Sequence, residues 1–251
     1  MNQLDPSLQL MLRRRPSGRP LMRHLWRDLT FLHYSVEPEV VQKLLPEELT
    51  VDTYDGRAWV GLVPFWMTGI RVLKMPKIPG MHTFPETNVR TYVHREGKNP
   101  GIWFFSLDAE SSLAVWGARA TFGLPYHRAE MNIDRQDDEI RYRSVRRGST
   151  EAAHDLRIKR QEEWPYAEPG SLEFFLIERY LLYSKFHGKV VTGQVHHEPY
   201  SLFSADLESG QESMMRANAL PTMPWEHVCY SPGVEVDVYA VKKDQAALSK
   251  P

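Results

Sequence analysis

The chain has 251 residues, and 31 Lys and Arg against 32 Asp and Glu give a formal net charge of −1. This length fits one large domain or two small ones, and 42% hydrophobic and 25% charged residues are ordinary globular values. A charge so near zero gives no electrostatic basis for nucleic-acid binding. The single cysteine, Cys229, excludes an internal disulfide framework. A lone cysteine also fits a reducing compartment, so we expect a cytoplasmic protein. No apolar run reaches about 18 residues, so we expect no membrane helix.

Composition along the chain predicts one domain between two tails. Residues 1–20 are basic and interrupted by prolines, so we expect a poorly ordered N-terminal arm. Residues 242–251 have the composition of a frayed C-terminal tail. Between them, residues 21–241 contain no linker, repeat or low-complexity tract, which favours a single domain.

Most of the predicted elements are strands. Alternating or short apolar runs predict strands at 22–36, 49–54, 57–67, 84–94, 101–108, 126–133, 139–145, 154–160, 190–198 and 234–241. Helical spacing and end signals predict helices at 38–45, 110–122, 172–183 and near 212–220, and the proline-containing segment 71–83 predicts a loop. Successive strands joined by short turns, such as the one at Asp55-Gly56, indicate an α+β fold that is mostly antiparallel β.

The predicted strand 84–94 carries the clearest candidate site. Because side chains alternate along a strand, Glu86, Asn88 and Arg90 share one face with Tyr92. Such a face is either solvated or the wall of a polar cavity. Glu86 can be a general base or simply the partner of Arg90. Arg90, in turn, can hold a substrate carboxylate through its two-pronged guanidinium, or it can neutralise Glu86.

Other polar residues have structural interpretations. Asp108 is predicted to cap the helix that follows it. Glu178 and Arg179 fall in the predicted helix 172–183 among apolar residues, and each must have a partner because an unpaired buried charge costs several kcal/mol. The sequence contains no nucleotide-binding or metalloprotease motif, so we predict neither a cofactor nor a metal site.

Five stretches of the chain resemble the YqjF-like family, a bacterial family of unknown function. They are Leu44-Leu45-Pro46 with 52–61, 84–93, 103–109, 124–129 and 170–183. They occur in matching order over roughly residues 20–240. That family is assigned to the acetoacetate-decarboxylase-like superfamily. The resemblance therefore implies a cone-shaped antiparallel β-barrel with flanking helices and a pocket inside.

The resemblance also allows one comparison with a known active site. In acetoacetate decarboxylase, a Gly-x-Pro-Lys-Lys-x-Ala segment supplies the lysine that forms a Schiff base with the substrate ketone. The matching segment here runs from Gly123 to Ala129, with Tyr126 and His127 in place of the two lysines. A phenol cannot form an imine, so Schiff-base decarboxylation is not implied. The superfamily's pocket glutamate corresponds to Glu86, 40 residues before Tyr126.

Three functions remain open at this stage. The first is an acid–base enzyme acting on a small carboxylate or carbonyl compound, with Glu86 as base and Tyr126 as acid or oxyanion donor. Arg90, Asn88 and His127 would then bind the substrate. The second is a non-catalytic small-molecule binder, and the third is a structural or oligomer-forming barrel filled by its own side chains.

Two of these residues also have structural alternatives. Tyr126 can instead be a core aromatic residue, and His127 faces away from Tyr126 unless a bulge turns it inward. We expect a small-molecule ligand, a homo-oligomer as a further partner, and neither nucleic acid nor membrane.

Overall fold

The computed structural model describes residues 3–72, 82–149 and 151–243. The helices are α1 (Ser7–Arg13), α2 (Pro38–Gln42), α3 (Ser112–Phe122), α4 (Leu172–Ile177) and α5 (Met214–Ala217). The strands are β1 (Met22–Val36), β2 (Thr50–Val51), β3 (Thr53–Tyr54), β4 (Arg57–Val72), β5 (Thr83–Arg95), β6 (Lys98–Ala109), β7 (Tyr126–Gln136), β8 (Glu139–Arg146), β9 (Ala153–Trp164), β10 (Leu181–Phe186), β11 (Lys189–His196), β12 (Leu202–Glu212), β13 (His227–Val238) and β14 (Lys242–Lys243). No helix within these ranges is both long and apolar enough to cross a membrane.

The strands of the described residues belong to one sheet that closes on itself. The hydrogen-bonded order is β14-β11-β10-β6-β7-β8-β9-β12-β13-β1-β4-β5-β2, and further pairings join β5 to β6 and β11 to β13. The β6–β7 and β6–β10 pairs are parallel, and the other pairs are antiparallel. The predicted α+β class with mostly antiparallel strands is therefore confirmed.

Strand β5 lies between two apolar cores, and its alternating side chains enter both. Val89 packs in a core with Leu62 of β4 and Ile158 of β9. On the same face, the hydroxyl of Thr87 lies 2.9 Å from Nε2 of the buried His154. The other core contains Phe65, Phe84, Leu107 and Ile177. The residues of β5 with even numbers face this second group, which is the side where a cavity lies.

The hairpin predicted at Asp55-Gly56 is confirmed. Both residues have positive φ angles, 48° and 75°, which match the twist of a two-residue hairpin. β4 pairs with β1 on one side and β5 on the other, and residues 58–63 are buried. This apolar run is therefore a central strand of the sheet that is buried on both faces.

The predicted helix 172–183 is wrong in its second half. α4 ends at Ile177, and the chain continues as β10, which pairs with β11 and with β6. A continuously apolar run fits a buried strand as well as a buried helix, so its periodicity could not decide. The deciding signal is the turn at His187-Gly188, where both φ angles are positive and β10 folds back onto β11.

The structure also differs from the predictions near the termini and around β12. Within the segment expected to be a poorly ordered arm, α1 buries Gln9 and Leu12. The side-chain amide of Gln9 donates hydrogen bonds to the carbonyl oxygens of Phe174 and Glu178, both 3.1 Å away. β12 was not predicted. Residues 73–81 of the predicted loop and 244–251 of the predicted tail lie outside the described residues, and the limits of a single domain stay a prediction.

Candidate functional site

A cavity of about 590 Å³ lies on the even-numbered side of β5. Its walls come from β1, β4, β5, β6, β7, β10, β11 and β13, and from helices α3 and α4. Most lining side chains are apolar, which is usual for a small-molecule pocket that carries a few polar groups. Glu86, Asn88, Arg90 and Tyr126 are among the lining residues, so the structure brings four of the five predicted site residues together.

A bulge in β6 helps to shape this wall. Val89 pairs with Ser106 whereas Arg90 pairs with Phe104, so Phe105 is an extra residue in the ladder. Because one extra residue reverses the alternation, Phe104 and Leu107 both line the cavity. Strand β6 ends at Ala109, which is paired with Glu86, and α3 continues the wall from there.

Glu86 and Tyr126 form a buried hydrogen-bonded pair. The Tyr126 hydroxyl donates to Oε2 of Glu86 at 3.0 Å, and only 1% of Glu86 is exposed. Burial raises the pKa of Glu86 to about 8, against the opposing effect of the Tyr126 hydrogen bond. Burial, together with the Glu86 charge, raises the pKa of the Tyr126 phenol well above its usual range. Glu86 is therefore mostly a neutral acid at pH 7, and Tyr126 is a neutral hydrogen-bond donor.

Arg90 is a buried cation that has no acidic partner within residues 3–72, 82–149 and 151–243. Its Nη2 donates to the Leu176 carbonyl at 3.0 Å and to the Tyr92 hydroxyl at 3.3 Å. Its Nε has no hydrogen-bond partner in the described part of the chain, and no carboxylate there lies within ion-pair distance of its guanidinium. The alternative in which Glu86 is simply the ion-pair partner of Arg90 is therefore not found among the described residues. Arg90 is held by π faces and neutral oxygens, since its guanidinium also lies 5.4 Å from the Phe31 ring centroid.

Two further groups complete the polar wall. Asn88 Oδ1 is buried and has no partner among the described residues. Arg179, from the turn after α4, also lines the cavity, and its Nη1 pairs with Asp52 at 2.8 Å. The partner predicted for Arg179 is therefore present, but its place in the cavity wall was missed. The sequence contains no sign of this position, because Arg179 lies in a turn that was predicted to be helix and is far from β5 in the chain.

His127 lies apart from the cavity wall. It follows Tyr126 on β7 and faces the other way, beside Asp108 and Arg146, and burial lowers the pKa of its imidazole. Asp108 itself was predicted to cap α3, and this prediction is wrong. Both of its oxygens accept from Arg146, at 2.7 and 2.9 Å, and Ser111 caps the helix by accepting from the Ala114 N–H. The buried aspartate is the partner of an arginine that is distant in sequence.

No lysine lines the cavity in the described part of the chain. Lys159 of β9 and Lys185 of β10 are both exposed. Within the same ranges, no group of three or more His, Cys, Asp or Glu is arranged to hold a metal ion. The chemistry available at this wall is thus that of a carboxyl, a phenol, an amide and two guanidinium groups.

Comparison with known sequences identifies the family. A family described as "Uncharacterized conserved protein", DUF2071, matches residues 23–235. The chain belongs to this family. It is also 41% identical over 209 residues to the uncharacterized protein YqjF of Bacillus subtilis (strain 168), covering 83% of this chain and 86% of YqjF. The resemblance to the YqjF-like family is confirmed.

Comparison with solved structures shows which enzymes share the fold of this DUF2071 protein. The enduracididine biosynthesis enzyme MppR, complexed with the condensation product of pyruvate and imidazole 4-carboxaldehyde, superposes with a TM-score of 0.66 at 12% identity, and 91% of each chain is covered. An acetoacetate decarboxylase-like enzyme from Sphingomonas wittichii RW1 gives a TM-score of 0.61 at 13% identity, covering 91% of this chain and 95% of that one. At these identities the likeness establishes the fold alone.

Proposed function

We propose that this DUF2071 protein binds a small carboxylate that also carries a carbonyl group, and moves a proton on the carbon beside that carbonyl. Arg90 binds the carboxylate, Glu86 exchanges the proton, and Tyr126 donates a hydrogen bond to the developing oxyanion. The observation that carries the proposal is the buried Arg90, which has no acidic partner among the described residues and shares a cavity wall with a hydrogen-bonded Glu86–Tyr126 pair.

The charge balance of the wall favours an anionic ligand. Asp52 already neutralises Arg179, and Glu86 is mostly uncharged at pH 7 because its pKa is about 8. The Arg90 charge is therefore uncompensated, and a buried unpaired charge is costly. A ligand carboxylate that meets the guanidinium from the cavity would supply the missing charge. A carboxylate also matches the planar donor geometry of a guanidinium group.

The Glu86–Tyr126 pair suits proton transfer. A general base works best when its pKa lies near the operating pH, and a value of about 8 meets that condition. In the step we propose, the ionised Glu86 takes a proton from carbon, the C–H electron pair forms the enolate, and the Tyr126 hydroxyl turns from Glu86 to the enolate oxygen. The protonated Glu86 then exchanges its proton with solvent water, and delivery of this solvent-derived proton, a deuteron in D₂O, to the same carbon of the enolate completes the exchange.

Two further observations support this assignment. In a similar fold, MppR holds a condensation product of pyruvate. The lysine that would form a Schiff base in the superfamily is replaced by Tyr126, and the described part of the cavity wall contains no other lysine. We therefore propose acid–base chemistry in place of imine chemistry, inside the cone-shaped barrel that the closed sheet supports.

The decisive experiment is hydrogen–deuterium exchange at carbon 3 of 2-oxobutanoate in D₂O, followed by ¹H NMR. We expect the protein to accelerate the exchange, with a rate that rises with pH toward a midpoint near the Glu86 pKa of about 8. Glu86→Gln should slow the exchange by about 100-fold or more, the usual contribution of a general base. Glu198→Gln, at an exposed glutamate, is the matched control and should leave the rate unchanged.

Binding is measured in parallel by calorimetry. Arg90→Gln should raise the Kd for 2-oxobutanoate about 10- to 100-fold, since a hydrogen-bonded charge pair is lost. If binding depends on Arg90 but no exchange is seen, the catalytic step is contradicted. The protein would then be a non-catalytic small-molecule binder. Absence of both binding and exchange would favour a structural protein, although a cavity of about 590 Å³ does not fit a barrel filled by its own side chains.

A further inference from the structure

We propose that the ligand carries a long apolar tail, which occupies the outer half of the cavity beyond Glu86. This inference rests on the proposed function for the orientation of the ligand, with its carboxylate at Arg90. It specifies the substrate class as a carboxylate bearing an aliphatic or aryl chain of roughly six to ten carbons, and it assigns specificity to helix α3.

The strand register places the polar groups at one end of the cavity. Arg90 pairs with Gly61, Asn88 with Val63, and Glu86 with Phe65, so these rows succeed one another along β4 and β5. In the next row, Phe84 pairs with Met67, and both line the cavity. Polar side chains on β5 thus face the cavity from 86 to 90 and give way to apolar ones at 84.

The apolar part continues well past Glu86. Along β4 the lining passes from Phe65 through Met67 to Ile70, which is up to about 16 Å at the usual rise per residue of a strand. On the facing part of β1, Met22 and Trp26 line the cavity. His24 is the one titratable lining residue of the described β1 wall, and burial lowers its pKa to about 4, so it is neutral at pH 7.

Small residues of α3 leave room on the opposite side. α3 takes over the wall where β6 ends at Ala109, level with Glu86. Ala114, Gly117 and Ala118 lie on its cavity side, and their short side chains leave the space empty of protein atoms. A larger side chain at Ala118 would therefore shorten the cavity on its outer side.

The volume of the cavity leads to the same conclusion. The six non-hydrogen atoms of pyruvate would fill about 180 Å³ if each took the volume of a water molecule. The cavity measures about 590 Å³, within the range of pockets that hold drug-sized ligands. More than half of the space would remain beside a three-carbon acid, and the walls of the cavity are mostly apolar, with Thr121, Ser184 and Gln194 among the uncharged polar residues that line it.

The test is a calorimetric series of pyruvate, 2-oxopentanoate and 2-oxooctanoate with the full-length protein. Each methylene group buried should lower the Kd about three- to four-fold, so 2-oxooctanoate should bind at least about 100-fold more tightly than pyruvate. Ala118→Leu should abolish most of that gain and leave pyruvate binding unchanged. Ala120→Leu is the matched control, because Ala120 lies on the exposed side of the same helix.

The outcomes separate this inference from the proposed function. Equal affinity across the series, with pyruvate binding still dependent on Arg90, would overturn the tail site and leave the proposed function standing. A second probe, 1-octanol, has the tail without the carboxylate. If 1-octanol binds and Ala118→Leu weakens it, while no oxo acid depends on Arg90, the tail site is supported and the proposed function fails. An undiminished gain in Ala118→Leu would overturn the role assigned to α3.

Discussion

Two buried glutamates of this chain each accept a hydrogen bond from a tyrosine, yet only one of them lines the cavity. Glu178 accepts from the Tyr180 hydroxyl through Oε2 and from the Tyr200 N–H through Oε1. Glu86 accepts from Tyr126 through Oε2, and the rest of its carboxyl borders the cavity. Burial raises the pKa of both carboxyls, so titration does not distinguish them. The two glutamates differ in their second carboxyl oxygen, because Oε1 of Glu178 accepts a hydrogen bond and Oε1 of Glu86 is left to meet a ligand.

The two arginines of the cavity wall show the same contrast. Arg179 pairs with Asp52 and donates from Nε to the Phe175 carbonyl at 2.6 Å. Arg90 has no acidic partner in the described residues and has a free Nε. We call Glu178 and Arg179 the closed groups, and Glu86 and Arg90 the open groups. Burial is common to both sets, and each arginine has one guanidinium nitrogen without a hydrogen-bond partner among the described residues. The arginines therefore differ in the acidic partner, which Arg179 has and Arg90 lacks within those residues.

The largest expected difference concerns the arginines. Arg179→Met leaves the charge of the buried Asp52 without a partner and should lower the free energy of unfolding by about 3–5 kcal/mol. Arg90→Met removes a charge that has no acidic partner among the described residues, and it should change the free energy of unfolding by about 1 kcal/mol or less. Urea unfolding at pH 7 measures both. Adding Asp52→Asn to Arg179→Met should recover part of the loss, and equal losses in the two single variants would erase the contrast.

The next effect is a pH dependence that belongs to Glu86. Its folded-state pKa of about 8 lies above the ordinary value, so the folded state binds the proton more tightly. The stability due to neutral Glu86 is therefore complete below about pH 4.5 and is lost as the pH rises through 8, a loss of roughly 3 kcal/mol between pH 5 and 8. Glu86→Gln should remove that part of the slope in unfolding experiments across this range. A slope identical to that of the wild type would show that Glu86 does not titrate there.

The smallest difference compares the two glutamates directly. Glu178→Ala leaves two donors, the Tyr180 hydroxyl and the Tyr200 N–H, without their acceptor. Glu86→Ala leaves one donor, the Tyr126 hydroxyl, without its acceptor and enlarges an existing cavity. We expect Glu178→Ala to be less stable than Glu86→Ala by about 2 kcal/mol at pH 7, again by urea unfolding. If Glu86→Ala proved the less stable, the Glu86–Tyr126 pair would be a structural contact rather than an open site.

Local pattern predicted the wall of β5 but not the groups that complete it. Alternation alone placed Glu86, Asn88 and Arg90 on one face, and the resemblance added Tyr126 from 40 residues away. The alternation along a strand fixes which side chains share a face, and it does not depend on the order of strands in the sheet. Arg179 was missed as a wall residue, because pairing across 127 residues with Asp52 depends on the sheet order.

The wrong predictions share one physical cause. Asp108 follows an apolar strand and precedes a helix, which is the local signature of a cap, but the distant Arg146 provides a stronger partner. The run 172–183 satisfied a helical pattern, but the edges of β6 and β11 could accept its second half as a strand. In both cases a tertiary contact overrides a local preference that is worth about 1 kcal/mol.

Because β5 lies between two cores, residues that contact the cavity alternate along it with residues that only pack in the other core. Asn88 borders the cavity, and its neighbours Thr87 and Val89 point into the other core. A substitution at 88 therefore meets the ligand, and a substitution one residue away meets the packed interior. A lineage can change what its protein recognises through 86, 88 and 90 while 87, 89 and 91 keep the same scaffold. Substitutions on the cavity side of β5 can thus change ligand recognition while the packing of the other core stays the same.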